Sequence, residues 1–242
     1  MHGDNPAGRL LAILEKVQKF QVNTPSKEVW MQALQVKDND LPQLLVRMGE
    51  LMALPSMAVN QLSEKYPRQY QAGSHSHFYH QVTTALSRLD FTGTIDGFKT
   101  RVDQNAMNYL SALADLLEAK KSTDPLSVDQ IAELQGKVSE LMEFVRKQEI
   151  SPELKQYLLD KLARAMEAVD HYFITGSAPI IDAVESTFGH AVFNEEFRSN
   201  IKTSRWRPFA STLATIANIA TIAAGVGGLT EETIKFLENM AG

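Results

Sequence analysis

The sequence predicts an all-α protein, a multi-helix bundle, and three observations carry that expectation. Apolar residues recur three and four positions apart along most of the chain, the spacing that lines one side of a helix. From Ile131 to Val145 this recurrence becomes a heptad seam, and a second seam of matching length follows after a short loop. No alternation of apolar and polar residues runs far enough for a strand before glycine or proline interrupts it.

Taken in order, a first helix is expected near 5–20, opened by Asn5 and Pro6 and carrying Leu10, Ile13, Leu14 and Val17. From Ser26 the residues Val29, Trp30, Ala33 and Leu34 share a side. Asp40 and Pro42 open a third helix with a broad apolar stripe of Leu41, Leu44, Leu45, Met48, Leu51 and Met52, which Leu54-Pro55 is expected to stop. A short helix from Ser56 then ends before Pro67, and residues 67–76, polar and containing Gly73, read as a loop. Phe78, Val82, Leu86 and Leu89 resume the helical spacing until DFTGTIDGF breaks it. A helix over about 98–120 follows, with Val102, Met107, Leu110, Leu113, Leu116 and Leu117. Residues 119–125 read as a link, so the chain is expected to form an N-terminal helical region over 1–121 and a C-terminal bundle over 126–242, a single continuous domain being the other reading.

The clearest element is a helical hairpin over about 126–174. Its first seam is Ile131, Leu134, Val138, Leu141 and Val145; Ser151 then caps a helix with Pro152 at its first position, and Leu158, Leu162, Ala165, Val169 and Tyr172 continue. The short loop makes the pair antiparallel, each seam buried on the other. Gly176, Ser177 and Pro179 start another helix bearing Ile180, Ile181, Val184 and Phe188, and a mixed helix follows Gly189.

Pro208 introduces an apolar helix over about 208–226, part of a stretch of twenty-one residues, 209–229, without a charge. At about 1.5 Å per residue that length just crosses a hydrocarbon core of about 30 Å. Serine, threonines, Asn218 and glycines weaken it as a solitary span. Ala210, Ala214, Ala217, Thr221, Ala224 and Gly228 form a stripe of small residues that favours close helix packing, while Leu213, Ile216, Ile219 and Ile222 wind around the helix. Such a helix is expected to be apolar on nearly all sides, and therefore in a core or a bilayer. Before it lie Arg198, Lys202, Arg205, Trp206 and Arg207, a basic run with an aromatic anchor that reads as a partner or membrane interface. Thr230, Glu231 and Glu232 begin a last helix with Ile234, Leu237 and Met240.

Composition narrows the function. A net charge of −5 and a pI near 5.7 disfavour nucleic acid as a partner. The absence of cysteine removes disulfides, thiolate metal sites and thiol nucleophiles, and fits a reducing compartment. MHGDNPAGRL has neither a basic nor an apolar leader region, so cytoplasmic residence, with membrane association through 209–229 as an addition, is expected. No cofactor or metal is expected: GSHSHFYH offers His75, His77 and His80 without a carboxylate or cysteine nearby, His171 and His190 stand alone, and no phosphate-loop, nucleophile-elbow or zinc-protease motif occurs. Glu195-Glu196 reads as a solvated face. The leading expectation is a non-enzymatic helical module that binds a protein partner or itself, using the seams or the Trp206 patch. The alternative is a membrane-active effector that sequesters 209–229 in a soluble bundle and inserts it on activation, and a dispersed enzyme site is the third class. In organisation alone the chain resembles α-helical pore-forming proteins, which implies the second of these.

Overall fold

The computed structural model describes residues 4–37, 40–73, 75–119 and 125–225. Among them lie thirteen helices and no strand, only an isolated bridge between Pro25 and Thr94. The chain divides into two compact units, residues 1–122 and 123–242.

The first unit contains α1 (Pro6–Gln18), α2 (Ser26–Ala33), α3 (Leu41–Lys65), α4 (Pro67–Gln71), α5 (Ser76–Ser87), α6 (Asp96–Lys99) and α7 (Gln104–Glu118). Helices α1, α3, α5 and α7 close a ring in which each packs on the next and α7 returns to α1. Helix α1 is its most buried member, with Ala7, Leu10, Leu11, Ile13, Leu14 and Val17 all sealed from solvent. Asn5 caps it by accepting from the Gly8 N–H at 2.9 Å, and its Nδ2 donates to the Ala114 carbonyl and to Glu118 Oε2, both at 3.3 Å. The start of α1 therefore sits at the end of α7, and the two run antiparallel.

Three expectations change here. Helix α3 does not stop at Leu54-Pro55 but runs through Pro55 to Lys65. An interior proline costs about 3 kcal/mol by removing a donor and crowding the preceding turn. Leu54, Pro55, Ala58 and Leu62 all bury across that point, and their transfer from water offsets the loss. The expected loop at 67–76 holds α4, and the expected helix at 98–120 is two helices, because Asp103 accepts from the Ala106 N–H at 2.7 Å and starts α7 afresh. Helix α2 ends with Gln35 in the left-handed region at φ 57. The Val36 N–H bonds the Met31 carbonyl at 2.8 Å and the Gln35 N–H the Gln32 carbonyl at 3.2 Å, a Schellman closure. The buried Arg47 of α3 donates from Nη1 to the carbonyls of Leu34 and Gln35 at 2.8 and 2.7 Å, a charge-assisted closure of the helix end.

The second unit contains α8 (Val128–Arg146), α9 (Pro152–Asp170), α10 (Tyr172–Thr175), α11 (Ala178–Phe193), α12 (Glu195–Ile201) and α13 (Arg207–Ala224). It too is a ring, of α8, α9, α11 and α13. Ser127 and Gln130 form a capping box at the start of α8, and Ser151 caps α9. Leu134, Val138, Leu141, Val145, Leu158, Leu162, Ala165 and Val169 are buried, with Ile131 half-buried against them. Phe144, near the end of α8, meets Trp206 and Phe209 at the start of α13, and Tyr157 of α9 stacks on His190 near the end of α11. Adjacent helices of the ring are thus antiparallel.

Helix α13 is not apolar all round. Its buried side is Phe209, Ala210, Leu213, Ile216, Ala217, Ala220, Thr221 and Ala223. At about 100° per residue these cluster on one face, and Ser211, Thr215, Asn218 and Ile222 share the opposite one. Ser211 and Ile222 are exposed, Ile222 at 65%. The small-residue stripe is the flank of the buried face: Ala210, Ala217 and Thr221 are buried, Ala214 and Ala224 half-buried. Gly225 closes the helix at φ 58, and Gly228, with the rest of 226–229 and the expected last helix, lies outside the described residues.

Candidate interaction surfaces

The basic run before α13 is divided by burial. Arg198, Lys202, Arg205 and Arg207 are exposed, and among the described residues none of the four has a carboxylate partner. Trp206 is not an exposed anchor: it is 1% exposed, its ring edge-on to Phe144 and Phe209 at 5.2 Å and to Phe197 at 5.9 Å. Charges at exposed chain positions and an indole driven inward by its area are compatible because α12 and the turn after it carry the cations on one side and Phe197, Ile201 and Trp206 on the other. The two seams are likewise closed within the second unit and offer no surface. No helix among the described residues is long and apolar enough to cross a membrane.

The same end of this unit carries a polar clasp that sequence reading missed. Glu196 accepts from the Ser151 backbone N–H at 2.8 Å and from the Ser151 hydroxyl, joining α12 to the cap of α9. These bonds hold its carboxyl below the usual glutamate range. The expected solvated face at Glu195-Glu196 is therefore half correct at most, since Glu196 has a structural partner 45 residues away. His190 lies flat on Tyr157 at 3.6 Å, and Lys161 sits 5.3 Å over the same tyrosine ring. Burial, and secondarily Lys161, lowers the imidazole pKa.

In the first unit the histidine cluster resolves into structural contacts. His77 Nε2 is 3.2 Å from Asp103 Oδ1, and Gln81 Nε2 donates to Asp103 Oδ2 at 2.8 Å while its Oε1 accepts from the Asp103 N–H. Bonds from Ala106 and Gln81, then His77, pull the Asp103 carboxyl down to about 2. The carboxylate that the sequence seemed to lack thus comes from 26 residues away, the cap of α7. His75 stacks on Tyr70 at 4.8 Å, and no group of three or more metal-ligating side chains forms among the described residues. A small cleft of about 110 Å³ lies beside His75, floored by Leu62, Leu113 and Leu116. A shallower groove between α1 and α7 is lined by uncharged amides with Glu15 and Lys19.

Of the eleven large apolar side chains that stand exposed among the described residues, five are on α3. Its broad stripe splits: Leu44, Met48, Leu51, Leu54 and Leu62 face the core, whereas Leu41, Leu45, Val46, Met52 and Met57 stand 42–54% exposed. Pro42, Gly49, Ala53, Ser56 and Asn60 fill the outer face between them. The two charged residues within this span turn away from it, Arg47 into the α2 end and Glu50 to a half-buried position with Oε2 sealed. From Leu41 to Asn60 the outward face of α3 carries no charge.

Compared with known proteins, the chain matches no family model, no curated protein and no solved structure.

Proposed function

We propose that this chain is a non-enzymatic helical interaction protein whose docking surface is the outer face of α3. The observation that supports this reading is the row of Leu41, Leu45, Val46, Met52 and Met57, each exposed and none interrupted by a charge. Soluble proteins seldom leave a contiguous apolar patch of several hundred Å² open without a partner. The spacing suits a helix laid along the face, and two methionines give it soft, adaptable contacts. In this reading α1, α5 and α7 hold α3 rigid from behind, so that little ordering is required on binding.

The test is affinity capture by the intact chain, compared with Met52→Glu. Position 52 is exposed, so the variant folds, and a buried glutamate at an interface weakens association by about tenfold or more. Proteins retained by the parent chain are expected to be lost by the variant; retention of all of them overturns the proposal. Flotation with vesicles and dye release run in parallel, and leakage caused by the parent and the variant alike would favour insertion through 209–229 instead.

A further inference from the structure

The outer face of α3 is nearly its own complement. Gly49 is the midpoint between Leu41 and Met57, and an antiparallel copy crossing there places Leu41 against Met57, Pro42 against Ser56, Leu45 against Ala53 and Val46 against Met52. Apolar side chains meet apolar ones in three of these four pairs, Pro42 meets the small hydroxyl of Ser56 in the other, and Leu45 faces the small Ala53. The chain's charge of −5 disfavours general self-association, but the outward face of α3 from Leu41 to Asn60 itself carries no charge.

Gly49 supplies a second, independent reason. Glycine inside a helix costs about 0.5–1 kcal/mol relative to alanine. Within the chain nothing requires it: a Cβ built at Gly49 meets no atom within 4 Å, and the residue is exposed. Gly136 and Gly189 have similar free space, but Gly136 is bordered by Glu133, Lys137 and Glu140 and Gly189 by no row of large exposed apolar residues. At Gly49 the missing side chain lies in the middle of an exposed apolar row, where a second helix backbone could approach closely. Specific interfaces start at about 1,200 Å² of total buried surface, so pairing needs the face covered along its whole length from Leu41 to Met57.

Resting on the proposed function, we infer that the partner on this face is a second copy of the chain, paired antiparallel about a two-fold axis through Gly49. Such an interface is isologous and closed, giving a dimer and not a filament. The full chain is examined by sedimentation equilibrium, with Met52→Glu and Gly49→Gln. Both variants are expected to shift the dimer dissociation constant about tenfold or more toward monomer. Gly49→Gln has room in the single chain and favours helix, so its melting temperature holds or rises while its dimer is lost.

Because the chain has no cysteine, single cysteines report the register with a short bis-maleimide. Gly49→Cys is expected to cross-link to itself, Leu41→Cys alone to remain uncoupled, and Leu41→Cys mixed with Met57→Cys to couple. A monomeric parent chain at all concentrations, a dimer indifferent to both variants, or self-coupling of Leu41→Cys overturns the inference. If the parent is monomeric but Met52→Glu still abolishes capture of another protein, the pairing fails and the proposed function stands. If it dimerises through another face and Met52→Glu leaves capture unchanged, both fail.

Discussion

Helices α3 and α13 each run some eighteen residues or more, each sits in a four-helix ring, and each has a long stretch of outer face free of charge, from Leu41 to Asn60 on α3 and after Arg207 on α13. On α13 that face is Ser211, Thr215, Asn218 and Ile222, mostly hydroxyl and amide groups that water satisfies. On α3 it is leucine, valine and methionine. The charge-free run over 209–229 marks α13 as the unusual helix in the sequence, with alanines and isoleucines filling its other side. Which side the large groups occupy marks α3. The comparison teaches that a charge-free helix signals burial only if its polar residues are scattered; gathered on one face, serine, threonine and asparagine solvate a helix as effectively as charges do.

The inner faces should respond alike, and most strongly. Leu51→Ala on α3 and Ile216→Ala on α13 each empty a fully buried site, and each is expected to cost about 2–5 kcal/mol in denaturant unfolding. A loss below about 1 kcal/mol at Ile216 alone would break the equivalence by showing α13 loosely held.

Acid separates the units next. The folded state of the second unit depresses the His190 pKa below the ordinary 6.5, so the unfolded chain binds more protons near that value. Stability from this group is present above the unfolded pKa and is lost as pH falls through the folded one. Melting temperature is expected to decline over that window, and His190→Phe, which keeps the stack on Tyr157, to flatten the decline; an unchanged slope would remove His190 as the cause. Glu196 and Asp103, both held low, lose their contributions only at more acid pH.

The smallest effects sharpen the comparison most. Ile222→Ser and Met52→Ser both alter exposed positions and are expected to change the stability of the single chain by less than about 0.5 kcal/mol. Only Met52→Ser should reduce binding of a hydrophobic dye to the native protein. Equal reductions from both would erase the distinction between the two outer faces.

Much of this fold is legible in the letters, for reasons that differ by element. The hairpin of α8 and α9 is readable because its caps, seams and short loop are all local in sequence. Asn5 and Ser151 likewise carry their capping partners within three residues. What resists reading is tertiary. Pro55 fails to end α3 because burial on both sides of it outweighs a local penalty. Trp206 turns inward because Phe144, more than sixty residues earlier, is waiting for it. The outer face of α3 was present in the stripe of Leu41, Leu44, Leu45, Met48, Leu51 and Met52, but a stripe wider than one contact row does not say which part is covered. Tracking the charges would have helped: Arg47 and Glu50 interrupt the sequence without interrupting the face.

The cap at Asn5 bears on how the chain is made. Its bonds to Ala114 and Glu118 span 109 and 113 residues, so during synthesis α1 must wait for α7 before its end is sealed. The pairing of α8 with α9, by contrast, closes within a few dozen residues of synthesis. Nascent first units therefore spend most of their emergence with the most buried helix of their ring uncovered, a window in which chaperones would engage α1 and in which slowing elongation before residue 118 would raise aggregation.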